Sequence, residues 1–296
     1  MKTPINSVDV VIPVYRPGEK CRALFKMLSG QSIRPGKVIL MVTKDPGEDF
    51  FPEELLPSDA SSLFEIHELE KKDFNHGRTR NQGAGYSSAE AVVFMTDDAV
   101  PADLDLIENL LAGLSEEKTA VCYARQLPAA DAELAECFSR EFNYPAQSRL
   151  KTKADLPAMG IKAFFCSNVC AAYNRAIFDR LGGFVDQTVF NEDMIFARRA
   201  LEAGYGIKYQ AEARVVHSHD LSNTEQYRRS VLLARSQKEH PEIFGDVSSE
   251  SEGIRYIKEA FGYFRQKGKG YLILPFLVTC GFRFFGYRVG KRRTIG

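Results

Sequence analysis

Short apolar runs and amphipathic segments alternate between residues 8 and 114. The run Val8–Val14 (VDVVIPV) predicts a buried strand, and Glu19–Ser29 follows it with apolar residues at helical spacing. The alternation then continues with predicted strands Lys37–Thr43, Phe64–Leu69 and Ala91–Thr96, and with predicted helices Gly77–Ser88 and Asp103–Leu114. This order indicates an α/β fold with a mostly parallel, Rossmann-like central sheet flanked by helices.

The segment Thr96-Asp97-Asp98-Ala99 follows the last of these strands. In parallel α/β sheets, ligands bind beyond the carboxyl ends of the strands. Because neighbouring residues of an extended chain point to opposite faces, one aspartate can reach a metal while the other reaches a ligand hydroxyl. Mg²⁺ or Mn²⁺ held by few carboxylates suits a diphosphate substrate. The alternative is a simple helix-capping turn, where Asp is common.

Two other nucleotide-binding classes lose support at the first strand. A dinucleotide-binding protein needs G-x-G-x-x-G between the first strand and the first helix, and here that junction is Pro13-Val14-Tyr15-Arg16-Pro17-Gly18. No P-loop sequence occurs in the chain. A nucleotidyltransferase is disfavoured as well, since the glycine-rich basic loop that would bind a triphosphate is missing after this strand.

Polar and basic residues stand at the start of the predicted helix Gly77–Ser88. They are His76, Arg78, Arg80 and Asn81. Backbone N–H groups and the positive end of the helix dipole favour an anion at such a position. The alternative is a solvated basic helix start.

Two further groups of chemically active residues lie in the second half of the chain. In the first, Asn191 is placed to cap a helix in which Glu192 and Asp193 form an acidic first turn, and the helix dipole stabilises such acids. In the second, His217 and His219 alternate at a strand end and therefore share a face, so that either could complete a metal shell. The alternative for both groups is a purely structural role, as a capped helix start for the acids and as ordinary core or surface residues for the histidines.

The segment between Asp98 and Asn191 has a mixed pattern. Asp131–Tyr144 is predicted to form an amphipathic helix, and the polar, basic stretch Pro145–Met159 is predicted to be a loop. This loop would either be solvated or cover a charged ligand.

Composition changes the picture only at the C-terminus. The 39 basic and 39 acidic residues balance, but Gly253–Gly296 holds ten Lys or Arg and the single acid Glu259, which leaves the rest of the chain net acidic. Ile254, Ile257, Phe261 and Phe264 lie at helical spacing, and Tyr271–Val278 and Phe282–Tyr287 are apolar but interrupted. A membrane-spanning helix needs roughly 20 apolar residues, and these runs are shorter. The segment is therefore expected to lie at an anionic membrane interface, to which the basic cluster Lys291-Arg292-Arg293 would attract it. The alternative is a hairpin packed on the body or on a second copy in a homodimer.

Several motifs together make the chain resemble the family 2 glycosyltransferases. They are V-V-I-P-V-Y (residues 10–15), H-G-R-T-R-N-Q-G-A (76–84), T-D-D-A (96–99), R-A-I-F-D-R-L-G-G-F (175–184) and N-E-D-M (191–194). The run F-N-H-G-R-T-R-N and the later F-N-Y-P-A-Q-S-R resemble the rhamnosyltransferase branch.

The resemblance implies a GT-A fold and assigns roles to residues. Donor-binding residues would be Pro13, Tyr15, Asp45, His76, Arg80, Asn81 and Asp97, although the turn Thr43–Asp45 departs from the family's usual pair of acids. Asp98 and His217 would hold Mg²⁺ or Mn²⁺. Asp193 would be the catalytic base of an inverting transfer, and Glu192 would orient the acceptor or support the base.

On this reading, residues 1–245 form the glycosyltransferase domain and 246–296 a basic, amphipathic helical extension. Residues 1–100 would be the nucleotide-sugar half and 101–220 the acceptor half. The expected reaction transfers L-rhamnose from dTDP-L-rhamnose to a glycan or lipid-linked acceptor of a bacterial surface polysaccharide. The expected location is cytoplasmic, on the inner face of the membrane, with no nucleic-acid partner. The alternatives are a UDP- or GDP-sugar donor, or a catalytically silent nucleotide-sugar-binding scaffold.

Overall fold

The fold is given by a computed structural model that describes residues 4–45, 47, 51–116, 118–219, 221–247 and 250–292. Its strands are β1 (Val8–Tyr15), β2 (Val38–Lys44), β3 (Phe64–Glu70), β4 (Ala91–Met95), β5 (Val100–Pro101), β6 (Thr119–Leu127), β7 (Arg149–Lys151), β8 (Cys170–Asn174) and β9 (Gly206–Val216). Its helices are α1 (Glu19–Ser29), α2 (His76–Gly85), α3 (Leu106–Leu114), α4 (Leu134–Asn143), α5 (Leu156–Met159), α6 (Arg175–Arg180), α7 (Glu192–Glu202), α8 (Asn223–Glu239), α9 (Pro241–Phe244), α10 (Glu250–Gln266) and α11 (Ile273–Arg292).

The strands form one sheet in the order β3-β2-β1-β4-β8-β6-β9-β5, with β7 added beside β9. The pairs β1–β2, β2–β3 and β1–β4 are parallel, as the sequence pattern predicts. Beyond β4 the sheet is mixed, because β8 runs antiparallel to both β4 and β6 while β6 and β9 are parallel. The α/β fold class is confirmed, and the sheet is wholly parallel only in its first half, from β3 to β4.

Burial on both faces explains why the central strands are continuous apolar runs. In β1, Val10, Ile12 and Val14 face a core shared with α1 and α3, whereas Val11 faces a second core shared with α7. Asp9 is buried in the same strand. Its carboxylate accepts hydrogen bonds from Lys37 N at 2.8 Å and from Ser87 Oγ at 2.6 Å, so the charge that interrupts the run is fully partnered.

The predicted helices of the first half are present, and their boundaries shift by a few residues. The main difference lies at Pro145–Met159, where the structure has the short strand β7, the helix α5 and a helical turn in place of an unstructured loop. Lys151 anchors this segment, since its ammonium group donates to Tyr123 Oη at 3.1 Å and to the Lys162 and Phe165 carbonyls. Burial lowers the pKa of this lysine to about 7.

The C-terminal segment forms two helices, α10 and α11. The sequence pattern predicts too short an apolar helix here, because Pro275 interrupts the apolar run. Pro275 in fact lies in the first turn of α11, where no helical N–H is needed. Gly270–Arg292 is long and apolar enough to cross a membrane by length and composition alone, and only 11% of its apolar window is buried. Arg293, the last of the predicted basic cluster, lies outside the described residues.

The helix α11 packs along α8 through two glycines. A Cβ at Gly286 would lie 2.4 Å from the Tyr227 carbonyl oxygen, and one at Gly290 would lie 2.4 Å from the Val231 carbonyl oxygen. Thr279 Oγ1 also donates to Asn223 Oδ1 at 2.7 Å. Large exposed apolar side chains remain on the two tail helices and the turn between them: Ile254, Phe261, Tyr271, Leu274, Val278, Phe282, Phe284 and Phe285. The tail therefore packs on the body by one face and leaves another apolar.

Candidate active site

The site lies at the edge of the sheet where β1, β4, β6 and β9 end. The turn after β4 carries Asp97 and Asp98, which diverge as the sequence predicts. Asp97 Oδ2 accepts a hydrogen bond from Tyr15 N at the end of β1, at 3.1 Å. Asp98 instead faces the residues that follow β9. Burial, which outweighs the hydrogen bond from Tyr15, raises the pKa of Asp97.

Asp98 meets both histidines that follow β9. His217 Nε2 lies 3.5 Å from Asp98 Oδ1, and His219 Nε2 lies 3.3 Å from Asp98 Oδ2. One ligand atom from each of the three side chains can be chosen so that all lie within 4.8 Å of one another. Burial opposes ionisation of Asp98, but the two imidazoles hold the pKa of its carboxyl well below the usual range.

The second acid pair begins α7 and is held by Asn168, in the turn before β8. Asn168 N donates to Asp193 Oδ2 at 3.0 Å, and Asn168 Nδ2 donates to Glu192 Oε1 at 3.1 Å. Tyr173 Oη donates to Asn168 Oδ1 at 2.7 Å, so the orientation of the amide is fixed. A single asparagine thus positions both carboxylates.

Asn191 is the N-cap residue of α7, as predicted, but its side chain makes no capping hydrogen bond. Asn191 adopts the left-handed conformation with φ of 67°, and its amide donates to Ser236 Oγ of α8 at 3.0 Å. The first turn is stabilised in another way, because Asp193 Oδ1 accepts a hydrogen bond from Met194 N at 2.7 Å. Asn191 therefore ties the start of α7 to α8.

The two acids of α7 titrate in opposite directions. Burial and then the negative charge of Glu192 raise the pKa of Asp193 to about 7. Burial acts on Glu192 too, but Arg80, His76 and the hydrogen bond from Asn168 outweigh it and lower the pKa of this carboxyl. Glu192 stays ionised while Asp193 exchanges a proton near neutrality, which is the property of a general base.

The residues at the start of α2 lie elsewhere than expected. Arg80 is 4% exposed and its guanidinium lies 3.3 Å from Glu192 Oε1, so it compensates the acid instead of facing a diphosphate. His76 stacks on Phe190, with ring centroids 5.8 Å apart. Burial lowers the pKa of His76.

Asn81 and the helix start itself are fully occupied. The Asn81 amide donates to the Phe184 carbonyl at 2.9 Å and accepts from Phe184 N at 3.0 Å, which bridges α2 to the loop before α7. Asn75 Oδ1 accepts from Gly77 N and Arg78 N, so an amide oxygen already caps the N–H groups expected to hold an anion. Neither feature supports the expected contact with the donor.

Asp45 directly follows β2 and lies in a cluster of polar and charged side chains. Its carboxylate accepts from Tyr15 Oη at 2.8 Å, Arg16 Nη2 at 2.6 Å and Lys71 Nζ at 2.8 Å. The hydrogen bonds from Lys71 and then Tyr15 hold the pKa of Asp45 well below its usual range. Pro13 lies two residues before Tyr15 on β1, half-buried. Four of the expected donor-binding residues thus lie at one edge of the sheet: Pro13, Tyr15, Asp45 and Asp97.

Sequence reasoning missed several residues that complete this site. Asn168 and Gln126 carry no motif, and Lys71 and Arg16 look like ordinary surface cations in the sequence. Arg229 of α8 also belongs here, because its guanidinium lies 5.7 Å from the Phe190 ring centroid, opposite the start of α7. It is exposed and makes no hydrogen bond or ion pair within the described part of the chain.

A family model of glycosyl transferase family 2 matches residues 9–182, more than half of the chain. The chain belongs to glycosyl transferase family 2. The match covers the strand ends that carry Tyr15, Asp97 and Asp98, and it ends before α7. The acids of α7 and the histidines after β9 therefore lie outside the matched region but inside the same sheet edge.

Two relatives align with this glycosyltransferase over nearly its whole length. The O-antigen chain rhamnosyltransferase RfbN of Salmonella typhimurium is 35% identical over 286 residues, covering 96% of this chain and 89% of the relative. The O-antigen chain rhamnosyltransferase WbaN of Salmonella anatum is 32% identical over 290 residues, with the same two coverages.

The solved structure of the mannosyltransferase PcManGT from Pyrobaculum calidifontis, in complex with GDP-Man and Mn²⁺, has a similar fold. Its TM-score is 0.60 at 15% identity, covering 99% of this chain and 80% of that chain. The likeness confirms the GT-A fold that the sequence motifs implied. The family 2 glycosyltransferase described here thus places two acid pairs, two histidines and a basic cluster at the ligand edge of that fold.

Proposed function

We propose that this glycosyltransferase transfers L-rhamnose from dTDP-L-rhamnose to a hydroxyl of a glycan or lipid-linked acceptor in bacterial surface polysaccharide synthesis. The proposal is carried by one observation: a carboxylate–imidazole cluster and a buried carboxyl with a pKa near 7 meet at one sheet edge. The choice of sugar is supported by the two relatives named as rhamnosyltransferases.

The donor nucleoside binds at the ends of β1 and β2. Pro13 and Tyr15 line this edge, and the carboxylate of Asp45 and the ammonium of Lys71 offer an acceptor and a donor for a base that presents both. Asp97 receives a hydroxyl of the ribose or of the sugar. Arg229 provides a cation for the phosphates, in place of the expected Arg80 and Asn81, which are committed to Glu192 and Phe184.

Asp98 and His217 would hold a divalent cation, which when bound would supply positive charge to the diphosphate leaving group. Asp193 accepts the proton of the acceptor hydroxyl. The hydroxyl oxygen forms a bond to the anomeric carbon while the bond from that carbon to the diphosphate oxygen breaks, and dTDP leaves. This single displacement inverts the configuration at the anomeric carbon. Burial, and then the negative charge of Glu192 opposite Arg80, raise the pKa of Asp193 and suit it to this role.

The acceptor is brought to the site at a membrane surface. The tail helices expose apolar side chains beside a strongly basic segment, which suits anionic lipid. Co-sedimentation of the full chain with vesicles containing phosphatidylglycerol tests this point, with Phe284→Ser/Phe285→Ser as the variant and Tyr86→Ser as the matched exposed control. Equal binding by all three proteins would overturn the surface assignment. A dimer mass in light scattering that only the tail variant loses would favour a homodimer.

The donor is tested by thermal shift with dTDP-, UDP- and GDP-sugars, with and without Mn²⁺, using Asp98→Asn as a control. A ligand at a hundred times its Kd adds about 2.7 kcal/mol to the free energy of unfolding. We expect such a shift with dTDP-L-rhamnose that requires both metal and Asp98. A larger shift with a UDP- or GDP-sugar would change the donor, and no shift with any donor would refute the proposal.

A further inference from the structure

The site contains a second imidazole beyond the ligand pair predicted from the sequence. His219 Nε2 lies 2.8 Å from His217 Nε2, and the two rings are nearly perpendicular. Both nitrogens also face the Asp98 carboxylate, at 3.3 and 3.5 Å. Three ligand atoms on one face of an octahedral ion, at bonds of about 2.1 Å, lie about 3 Å from one another. The 3.3 and 3.5 Å distances end on different oxygens of Asp98. One carboxylate oxygen and one ring nitrogen of each histidine lie within 4.8 Å of one another, so small side-chain rotations bring the three ligand atoms around one small cation.

A buried amide decides which nitrogen His217 presents. The Gln126 side chain accepts a hydrogen bond from the Arg140 guanidinium, which has donors only, so the oxygen of the amide lies on that side. The other end of the amide donates to Tyr144 Oη at 2.6 Å and to Ser167 Oγ at 3.0 Å. Its orientation is therefore determined by its partners.

The same Gln126 oxygen lies 3.0 Å from His217 Nδ1. Since that oxygen can only accept, Nδ1 must carry the proton and donate. In the neutral ring, Nε2 then keeps its lone pair and points towards His219 and Asp98. A hydrogen bond from the far nitrogen of a ligating histidine to a protein oxygen is the usual device that fixes the tautomer and orientation of such a ligand.

We propose that His219 is a third metal ligand beside Asp98 and His217, that Gln126 and Arg140 are positioning residues for His217, and that the site therefore selects a divalent transition ion over Mg²⁺. This inference rests on the proposed role of Asp98 and His217 as cation ligands. Two imidazoles and one carboxylate suit first-row transition ions, whereas Mg²⁺ prefers oxygen ligands and retains its water. A site with Asp98 and one histidine would discriminate much less.

The first test measures metal binding by the full chain without any nucleotide. Mn²⁺ is followed by electron paramagnetic resonance, Mg²⁺ by competition against it, and Co²⁺ by its visible absorption. We expect Mn²⁺ to bind at least tenfold more tightly than Mg²⁺. His219→Asn should weaken Mn²⁺ binding about 10- to 100-fold, while Mg²⁺ binding changes little. His67→Asn, the same replacement on β3, is the matched control and should change neither.

The second test addresses the positioning residues. In protein labelled with ¹⁵N-histidine, the ring nitrogen shifts of His217 report its tautomer, with His217→Asn used to assign the signals. We expect the Nδ1–H form in the wild type and in Gln126→Glu, because glutamate still accepts from both Arg140 and His217. Gln126→Leu should lose this form and weaken Mn²⁺ binding about tenfold. If the leucine variant does not fold, the glutamate variant still decides, since loss of the Nδ1–H form there would contradict the inference.

Equal affinities for Mn²⁺ and Mg²⁺, or a Co²⁺ spectrum unchanged by His219→Asn, would overturn the three-ligand assignment. These readouts do not depend on the donor. A protein that selects Mn²⁺ but binds no dTDP-L-rhamnose would retain this inference and lose the proposed function. A protein that binds dTDP-L-rhamnose equally well with Mn²⁺ or Mg²⁺ would retain the proposed function and lose this inference.

Discussion

Two pairs of neighbouring carboxylates belong to the candidate site, and they differ in what surrounds them. At the end of β4, Asp98 is flanked by two imidazoles while Asp97 accepts one backbone hydrogen bond. At the start of α7, Glu192 faces Arg80 and Asp193 is buried against Glu192. In each pair one pKa is lowered and the other raised. Environment therefore gives each pair one carboxyl that stays ionised and one that binds a proton more readily, as the proposed cation site and base require.

The largest expected effects come from neutralising one acid of each pair, which tests whether the two pairs have different roles. Asp193→Asn should reduce kcat about 10²- to 10⁴-fold, because a general base contributes that much, while the donor affinity stays unchanged. Asp98→Asn should instead abolish the metal-dependent part of donor binding. Isothermal titration with dTDP-L-rhamnose and a transfer assay measure the two effects separately. If Asp193→Asn lost donor binding as well, the assignment of the base would fail.

The next largest effect is expected from the ion pair inside the second acid group. Glu192→Ala leaves Arg80 buried without its partner, and loss of one member of a buried pair costs about 3–5 kcal/mol. The matching truncation in the first group, Asp97→Ala, removes a half-buried acid with one backbone partner and should cost about 1 kcal/mol. Urea unfolding of both variants gives the two values. Similar losses would show that the pairs are not held differently.

A third test uses the opposite pH dependence of activity and stability. The folded-state pKa of Asp193 is about 7, against an ordinary value of 3.8. Between these values the folded chain binds more protons than the unfolded chain, so this residue reduces stability as the pH rises through that window. Over the same range kcat should increase, because the base must lose its proton.

The measurement is the Tm of the wild type and of Asp193→Asn between pH 5 and pH 8. One unit of raised pKa corresponds to about 1.4 kcal/mol, so the difference, variant minus wild type, should grow by several degrees as the pH rises. Other titrating groups cancel in this difference. A difference independent of pH would place the pKa of Asp193 in the ordinary range.

The first half of the fold follows from local sequence, whereas the second does not. Fully apolar runs such as Val8–Val14 predict strands covered on both faces, and they pair in the parallel order expected. The antiparallel insertion of β8 between β4 and β6 depends on contacts across about 50 to 80 residues, which no short pattern encodes. Mixed sheets of this kind are identified through family resemblance, not through periodicity.

The acids of the site were recognisable from motifs, and their supporting residues were not. Gln126 contacts His217 across 91 positions, and Asn168 contacts Glu192 across 24. Motifs can also suggest a contact that the fold does not make. Asn81 lies in a basic motif that indicated a ligand contact, but its amide binds Phe184, 103 residues away. Which partner a polar side chain takes is decided by the folded arrangement, so motifs locate the chemistry and the structure assigns its support.

The smallest expected effect probes the support of the second acid pair. Tyr173→Phe removes the hydroxyl that donates to Asn168 Oδ1 at 2.7 Å and leaves a buried acceptor unsatisfied, which costs about 1–3 kcal/mol of unfolding free energy. Asn168 can then turn its side-chain amide, so Glu192 loses a fixed donor while the backbone hydrogen bond to Asp193 remains. Because the charge of Glu192 acts on Asp193, kcat should fall about three- to tenfold with KM nearly constant.

Tyr205→Phe is the matched control for this change, because its hydroxyl accepts a hydrogen bond from the exposed Arg180 at 2.8 Å and, among the described residues, none from the acids of the site. It should leave kcat unchanged. Steady-state kinetics at saturating donor compare the two variants. A purely structural role for Tyr173 would lower stability without altering kcat or its pH profile, and that outcome would limit Asn168 to holding the turn before β8. A fall in kcat together with a displaced pH midpoint would instead tie the hydroxyl, through one amide, to the proton affinity of Asp193.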